Sequence, residues 1–116
     1  MLVVCYAKCG TCRKALKWMK DNGIEADVRD IKEDNPSAEE LKEWTAKSGL
    51  PLRKHFNTSG KLYKEMHLKD RLKDMSDEEV IALLASDGML VKRPVLVKGD
   101  TVLVGFNEEA WKAALL

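Results

Sequence analysis

The chain has 116 residues, of which 45% are hydrophobic and 34% charged, and its formal net charge is +1. This length supports one domain with its own hydrophobic core, and the near-neutral charge gives no overall field to attract nucleic acid or an anionic membrane. No apolar run approaches the ~20 residues that a membrane span requires, and the N-terminus lacks the features of a signal peptide. We therefore expect a cytoplasmic protein of one domain, residues 1–116, whose cysteines serve redox chemistry or metal binding rather than structure.

The first part of the chain predicts a strand, a helix and a second strand. The apolar, β-branched run Leu2–Ala7 is typical of a buried strand. Apolar residues then recur at helical spacing from Gly10 to Asn22, and the following Gly23 is a typical helix end. The segment Glu25–Ile31 alternates apolar and polar residues, which predicts a half-buried strand.

The middle of the chain, about residues 37–88, predicts helices. Ser37 and Ser76 are each followed three residues later by a glutamate, which is the capping-box pattern of a helix start. These two helices are expected to end near Lys47 and Ser86. The sequence between them is mixed and polar, and short helices are expected near residues 60–67 and 69–73.

The last part of the chain predicts a hairpin and a final helix. Two β-rich runs, at residues 95–97 and 101–105, flank a turn that contains Gly99. Asn107 is a typical cap for a helix over residues 108–115, whose Trp111 is expected to pack on the sheet. The predicted order is β-α-β, then helices, then β-β-α, which places the chain in the α/β class.

The Cys-x-x-Cys motif of residues 9–12 lies between the first predicted strand and the first predicted helix. A thiolate is the reactive form of cysteine, and an ordinary thiol has a pKa near ~8.5. At the helix start, the Cys9 sulfur is expected to accept hydrogen bonds from free N–H groups and to be stabilised by the helix dipole, with Lys8 and Arg13 adding positive charge. Cys12 is one turn further and more shielded. Cys9 is therefore predicted to attack and Cys12 to resolve the mixed disulfide.

Two other interpretations of the cysteine pair are weaker. A zinc site needs two more ligands, and the remaining candidates, Cys5, His55 and His67, do not have a paired spacing. An inert pair is more typical of a helix interior than of a strand–helix junction. Cys5 is predicted to be a buried core thiol, because it lies in the apolar strand. Both histidines lie in polar segments and are predicted to be at the surface.

The dipeptide Arg93-Pro94 precedes the third predicted strand. An X-Pro bond has an appreciable cis population, and a cis-proline facing a cysteine pair is one way to hold a substrate channel open. Pro94 is compatible with the start of a strand, where its missing N–H is tolerated. Arg93 is unusual ahead of an apolar strand. It is predicted either to hold the Cys9 thiolate or an oxyanion, or to be a surface charge.

Three segments together resemble one protein family. They are Cys9-Gly10-Thr11-Cys12-Arg13-Lys14-Ala15, Arg93-Pro94-Val95-Leu96-Val97 and Val104-Gly105-Phe106. The family is the arsenate-reductase-like group of the thioredoxin fold, which includes the Spx and MgsR regulators. The resemblance covers essentially the full length, with residues 37–88 as a helical insertion. It implies a thioredoxin-like domain with a central mixed sheet, Cys9 as the reactive thiol, a cis Pro94, and Gly10 and Thr11 as structural residues of the site.

The sequence also departs from the arsenate reductases that this family includes. Those enzymes have a single active-site cysteine, with a serine where this chain has Cys12. They hold the oxyanion with three arginines, of which only Arg93 is matched, since Asn57 and Gly105 fall at or near the other two positions. They also have a histidine at the position of Cys5. Each missing charge-assisted hydrogen bond forfeits roughly 1.5–3 kcal/mol, which argues against efficient arsenate reduction.

The sequence thus predicts a thioredoxin-like thiol–disulfide oxidoreductase. Cys9 is the predicted nucleophile, Cys12 the resolving thiol, Arg93 the group that stabilises the thiolate or an anionic substrate, and Pro94 a residue that shapes the site. The resemblance implies no bound cofactor but an external thiol donor, such as glutathione with glutaredoxin, or thioredoxin. Expected partners are a thiol redox protein or a small oxyanion or disulfide substrate, without direct contact to nucleic acid or a membrane.

Two alternatives remain open. One is an Spx-type redox-sensing transcriptional regulator, which acts by binding the C-terminal domain of the RNA polymerase α subunit. The other is an arsenate reductase coupled to glutaredoxin or thioredoxin. The sequence alone does not decide between an enzyme and a regulator.

Overall fold

Four strands and six α-helices make up the fold in a computed structural model that describes residues 1–116. In chain order they are β1 (Leu2–Cys5), α1 (Gly10–Asp21), β2 (Asp27–Asp30), α2 (Ala38–Ser48), α3 (Lys61–Glu65), α4 (Leu68–Arg71), α5 (Asp77–Ser86), β3 (Val95–Lys98), β4 (Thr101–Val104) and α6 (Glu108–Leu115). Short 3-10 helices cover Leu52–His55, Leu72–Asp74 and Gly88–Leu90. No helix is both long enough and apolar enough to cross a membrane.

The strands form one sheet in the order β2-β1-β3-β4. β1 and β2 run parallel and are joined by α1, whereas β3 is antiparallel to both β1 and β4. The turn of the β3–β4 hairpin contains Gly99, whose φ of 58° lies in the left-handed region that glycine adopts readily. The predicted β-α-β unit, the hairpin and the mixed sheet of a thioredoxin-like fold are confirmed.

Successive side chains of the central strands point to opposite faces of the sheet, so the core has two layers. Val4 and Val95 face the helical segment between β2 and β3 and join a cluster that includes Trp44 of α2. Val3 and Cys5 face the other side of the sheet, where α1 and α6 pack. Because α1 packs on the face of the sheet that carries Cys5, the start of α1 lies against the end of β1.

The outer strand β2 is more exposed than its alternating pattern predicts. Val28 has 57% of its surface exposed, and β2 is an edge strand that pairs with β1 on one side only. β1 is also shorter than predicted and ends at Cys5. The chain then turns, and the Cys9 N–H donates to the Tyr6 carbonyl at 2.9 Å. This turn positions the cysteine motif.

Both predicted capping boxes are present in the helical segment. Ser37 caps α2 and Ser76 caps α5, each accepting from the N–H of the glutamate three residues on. The Glu40 carboxylate also accepts two hydrogen bonds from the Arg29 guanidinium, at 2.6 and 2.9 Å. Arg29 lies in β2, so this contact ties α2 to the sheet.

The prediction that His55 lies at the surface is wrong, because only 3% of its surface is exposed. Its Nε2 lies 2.8 Å from the Ser48 hydroxyl oxygen, and its carbonyl accepts from the Lys92 N–H at 2.8 Å. The neighbouring Phe56 forms an antiparallel bridge with Val91, which draws this segment into the core. Burial lowers the pKa of the His55 imidazole.

Candidate thiol site

The cysteine motif lies on the turn that joins β1 to α1. Cys9 is the cap residue at the N-terminus of α1, with extended backbone (φ −91°, ψ 123°), and Gly10 is the first helical residue. The Cys9 carbonyl accepts the first helical hydrogen bond from the Arg13 N–H at 3.1 Å. The Arg13 Nε also donates to the Ala7 carbonyl at 3.0 Å, which ties the turn to the helix.

Cys12 lies beneath this turn with 1% of its surface exposed. The Tyr6 backbone N–H donates to its sulfur at 3.3 Å. Its pKa is lowered to about 6 by a hydrogen bond from the Cys5 thiol, by the Tyr6 N–H, by a hydrogen bond from the Cys9 thiol and by the Arg93 charge, although burial opposes the shift. These interactions favour the thiolate form of Cys12.

The Cys9 sulfur is placed differently from the sequence prediction. It makes no capping hydrogen bond with the free N–H groups of α1, so that part of the expectation is wrong. Cys9 is half-buried and is a free thiol, as are the other two cysteines. Its contact with Cys12, rather than with the helix backbone, is what connects it to a stabilised charge.

Cys5 is buried, as predicted, but it is not an isolated core thiol. It closes β1 with 4% of its surface exposed and lies in the same buried cluster as Cys12. Interaction with the Cys12 side chain, together with burial, raises the pKa of the Cys5 thiol well above its ordinary value. Cys5 therefore keeps its proton and acts as a donor to Cys12.

Arg93 is brought to the same place from the other end of the chain. Its guanidinium carbon lies 5.2 Å from the centroid of the Tyr6 ring, in cation–π geometry. Its Nη1 donates to the Met89 carbonyl at 3.5 Å, while its Nε is buried without a hydrogen-bond partner. The Arg93–Pro94 peptide bond is cis, and the buried Pro94 accepts at its carbonyl from the Gly105 N–H at 2.8 Å.

A pocket of about 560 Å³ opens above Cys9. It is lined by Cys9, Thr11, Asn57, Ser59, Gly60, Lys92, Arg93, Val104, Gly105, Phe106 and Asn107. The charged residues of this lining are Lys92 and Arg93, and it contains no carboxylate. The pocket therefore suits an anionic or polar ligand presented to the Cys9 sulfur. A second cavity of about 580 Å³ lies between α2 and α5, with no cysteine in its lining.

Most of the predicted site residues meet at this pocket. Cys9, Thr11 and Arg93 line it, and Cys12 lies below Cys9. Gly10 is exposed and not part of the lining, and a methyl group in place of its hydrogen would meet no atom within 4 Å.

Sequence reasoning missed two residues of the site. Tyr6 donates its N–H to Cys12 and offers its ring to Arg93. Lys92 adds a second positive charge to the pocket wall. The adjacent basic residues Lys92-Arg93 were a visible signal for the second charge, but no local pattern indicated the role of Tyr6.

Comparisons with known proteins agree with this architecture. The model of the ArsC family matches residues 5–114. The chain is 53% identical over 107 residues to the uncharacterized protein YusI of Bacillus subtilis, covering 92% of this chain and 91% of that protein. It is 29% identical over 102 residues to the regulatory protein MgsR of the same organism, covering 88% and 79%. A crystal structure of an ArsC family related protein from Bacteroides fragilis superposes with a TM-score of 0.94 at 53% identity, covering 97% of this chain and 94% of that one.

Proposed function

Because the chain belongs to the ArsC family, we propose that it is a cytoplasmic thiol–disulfide oxidoreductase in which Cys9 attacks a disulfide substrate and Cys12 resolves the intermediate. One observation carries the proposal. Cys12 lies buried in the first turn of α1, while Cys9 at the N-cap of the same helix opens onto a positively charged pocket. Two-step disulfide exchange needs an accessible sulfur that attacks the substrate and a second, nearby sulfur that resolves the mixed disulfide.

The first step takes place at Cys9, because Cys12 has almost no exposed surface. The Cys9 proton passes to the Cys12 sulfur along their hydrogen bond, and Cys9 becomes the attacking thiolate. It forms a bond to one sulfur of the substrate disulfide, whose S–S bond breaks. The other half of the substrate leaves as a thiolate and takes a proton from water.

The second step releases the remaining half of the substrate. Cys12 releases its proton to water, which its lowered pKa favours at neutral pH, and attacks the Cys9 sulfur of the mixed disulfide. The Cys9–Cys12 disulfide forms and the second substrate thiolate leaves. The substrate gains two electrons and the pair loses two. An external thiol donor, such as glutathione with glutaredoxin, or thioredoxin, returns them.

The pocket favours a disulfide that carries carboxylates. Lys92 and Arg93 supply positive charge, and the buried Arg93 Nε has no partner within the protein. Arsenate is a poorer candidate, because Asn57 and Gly105 line the pocket without adding charge. Holding a doubly charged oxyanion without two of the arginines used by the arsenate reductases forfeits roughly 1.5–3 kcal/mol for each lost bond.

The test is turnover of a carboxylate-bearing disulfide, oxidised glutathione, with thioredoxin, thioredoxin reductase and NADPH as the reductant. We expect no turnover with Cys9→Ser. Cys12→Ser should instead accumulate a mixed disulfide at Cys9, detectable as a mass increase on the intact protein. Turnover that persists in Cys9→Ser above the rate without protein, or a Cys12→Ser protein that never carries the adduct, would contradict the proposal.

A redox-sensing regulator is the second candidate, and its support is the similarity to MgsR, a protein named as regulatory. In that role the Cys9–Cys12 disulfide would alter capture of the RNA polymerase α C-terminal domain instead of supporting turnover. Pull-downs with reduced and oxidised protein test it, with Cys12→Ser as the variant that cannot switch. Equal or absent capture in both redox states would remove this candidate.

A further inference from the structure

The strand β2 lies at one edge of the sheet, so its outer side has no strand beside it. Its inner side is marked by two backbone hydrogen bonds to β1. The Asp27 N–H donates to the Met1 carbonyl at 3.0 Å, and the Ile31 N–H donates to the Cys5 carbonyl at 2.8 Å. The peptide groups of successive residues in a strand point to opposite sides, so the N–H and carbonyl of Val28 point away from β1. Val28 therefore presents a donor and an acceptor at the open edge.

The side chain of Val28 borders an apolar groove. Val28 is in register with Val3, which belongs to the core layer on the α1 side of the sheet. Val28 points to the same side but lies beyond the core, with 57% of its surface exposed. A groove of about 510 Å³ runs between α1 and the segment that enters β2, and its apolar lining includes Leu16, Ile24 and Ala26 together with Val28. An open edge beside an apolar groove suits the addition of another strand.

The charges on β2 select how a second copy of the same strand could pair with it. Hydrogen-bonded antiparallel pairs must join outward-facing residues, which on β2 carry even numbers. A symmetric pair centred on Asp27 would place two aspartates opposite each other, and one centred on Arg29 would place two arginines opposite each other. Like charges directly opposite are destabilising. Centring the pair on Val28 instead places each Asp27 opposite an Arg29.

We propose that the protein forms a symmetric dimer in which β2 pairs antiparallel with β2 of a second copy, with the twofold axis at Val28. Each Val28 N–H donates to the Val28 carbonyl of the other copy. The two valine side chains meet on the α1 side, where the two apolar grooves face each other. Each Asp27 carboxylate faces Arg29 of the other copy, and the two sheets continue as one.

The two charged residues are differently placed for this contact. Asp27 is exposed and makes no ion pair within the protomer, so its carboxylate is available to a second copy. The Arg29 guanidinium is held by Glu40 at 2.6 Å and by Asp34 at 3.3 Å. The contact with Asp27 adds to these pairs and contributes modestly, as exposed ion pairs do. Its main effect is to favour this register over those with like charges opposite.

The dimer leaves the thiol site free. None of the residues that line the pocket above Cys9 belongs to β2. The proposal therefore does not depend on the oxidoreductase function proposed above, and either can fail without the other. Because β2 has only four residues, the pairing is short, and we expect association at micromolar to millimolar protein concentration.

Sedimentation equilibrium of the reduced protein over this concentration range tests the dimer, since reduction excludes intermolecular disulfides. We expect the mass of two chains to emerge as the concentration rises. Val28→Lys should keep the mass of one chain throughout, because two ammonium groups would meet at the twofold axis. Val28 is exposed in the protomer, so circular dichroism should show that this variant is folded. A wild-type protein that stays monomeric, or a Val28→Lys variant that dimerises equally well, would overturn the proposal.

The register is tested by Asp27→Asn in the same experiment, with Glu25→Gln as the matched control. Asp27→Asn should weaken the dimer several-fold, because each Arg29 loses the carboxylate opposite it. Glu25 is also exposed, but the residue opposite it would be the uncharged Ile31, so Glu25→Gln should leave the association constant unchanged.

The other outcomes of this comparison would each overturn the proposed pairing. Tighter association of Asp27→Asn would place two aspartates opposite each other, and unchanged association would fit a pair centred on Arg29. Equal weakening by Asp27→Asn and Glu25→Gln would show an effect of net charge rather than of a contact across the twofold axis.

Discussion

Tyr6 contacts both Cys12 and Arg93, since its backbone N–H donates to the Cys12 sulfur at 3.3 Å and its ring centroid lies 5.2 Å from the Arg93 guanidinium carbon. The first contact depends only on the backbone at the end of β1, so it survives any non-proline side chain at this position. The second depends on the aromatic ring. One residue thereby positions both Cys12 and Arg93 at the thiol site.

The ionisation of the thiols should be visible as absorbance of thiolate at 240 nm. In the reduced protein we expect one thiolate to appear with a midpoint near pH 6, since the pKa of Cys12 is lowered to about 6. An ordinary thiol would titrate near ~8.5. Cys12→Ser should lose this step. A wild-type titration with no thiolate below pH 8 would contradict the assignment.

Removing the Cys5 donor should raise the pKa of Cys12. The hydrogen bond from Cys5 is the largest cause of the lowered value. A hydrogen bond to a charged group contributes about 1.5–3 kcal/mol, which corresponds to about 1–2 pKa units. In the same absorbance titration, Cys5→Ala should therefore move the midpoint upwards. Cys5→Ser keeps a donor and is the matched control; equal midpoints in the two variants would refute a hydrogen-bond cause.

Loss of the Arg93 charge should affect anionic substrates most. Arg93→Gln keeps polar N–H groups but removes the cation from the pocket wall. We expect kcat/KM for oxidised glutathione to fall about 10-fold or more, as about 1.4 kcal/mol of lost attraction predicts. The rate with neutral hydroxyethyl disulfide should fall less. Arg93→Lys, which retains charge, is the control, and an equal loss for both substrates would count against anion recognition.

Gly88 should be intolerant of any side chain. A Cβ there would lie 1.8 Å from the Ile31 carbonyl oxygen, so the backbone between β2 and α2 would have to move. We expect Gly88→Ala to reduce the free energy of unfolding in urea by about 1–3 kcal/mol or more. Gly10→Ala is the matched control, because nothing lies within 4 Å of its Cβ. It should be neutral or gain up to about 1 kcal/mol from reduced backbone entropy. Equal stability of the two variants would contradict this reasoning.

Burial of His55 should make the stability of the fold depend on pH. Its pKa is lowered in the folded state, so the unfolded chain binds the proton more readily. The free energy of unfolding should therefore fall as the pH drops from 7 through 6.5, the ordinary value, towards 5.5. Cys12 also has a lowered pKa, so it too makes the free energy of unfolding fall as the pH drops. The measurement is therefore made in the Cys12→Ser variant, which removes this contribution.

The control for this effect is His55→Gln, which does not titrate and retains a polar group near Ser48. Its stability should be flat over the same range in urea unfolding. Parallel slopes for the protein with His55 and for the His55→Gln variant would show that another group is responsible. The lowered pKa of Glu40 lies below this window and does not interfere.

Local signals were enough to predict most elements of the fold. The capping boxes at Ser37 and Ser76 work through residues only three positions apart, so the sequence shows the whole interaction. The same holds for Asn107, whose side chain accepts from the Ala110 N–H at the start of α6. Such motifs are complete within one turn and depend little on the rest of the fold.

The burial of a residue whose neighbours in the fold lie far away in the sequence could not be predicted from local signals. His55 is buried because its segment pairs with residues 90–92, which come from the far side of α5. Its polar neighbours Arg53 and Lys54 remain exposed and gave the misleading signal. The exposure of Val28 likewise follows from the order of strands in the sheet, which alternation along one strand does not reveal.

The thiol site combines both kinds of information. The Cys-x-x-Cys spacing correctly indicated a pair at the start of α1, with Cys12 the more shielded. The hydrogen bonds of Cys12 could not be foreseen, because they depend on the turn after β1 and on the face that Cys5 occupies. The roles assigned to Cys9, Cys12 and Arg93 in turnover stay predictions until the variants are measured.

The bridge between Phe56 and Val91 has a consequence for how the pocket is built. It attaches the helical segment to the residues just before Arg93, so Asn57 and Ser59 join Arg93 in the lining of the pocket. Asn57 and Ser59 line the pocket, whereas Cys12 does not, and the Tyr6 N–H that donates to the Cys12 sulfur belongs to the turn after β1. Substitutions at Asn57 or Ser59 would therefore redirect the choice of substrate without altering the reactivity of the sulfurs, so selectivity and chemistry can change independently in this chain.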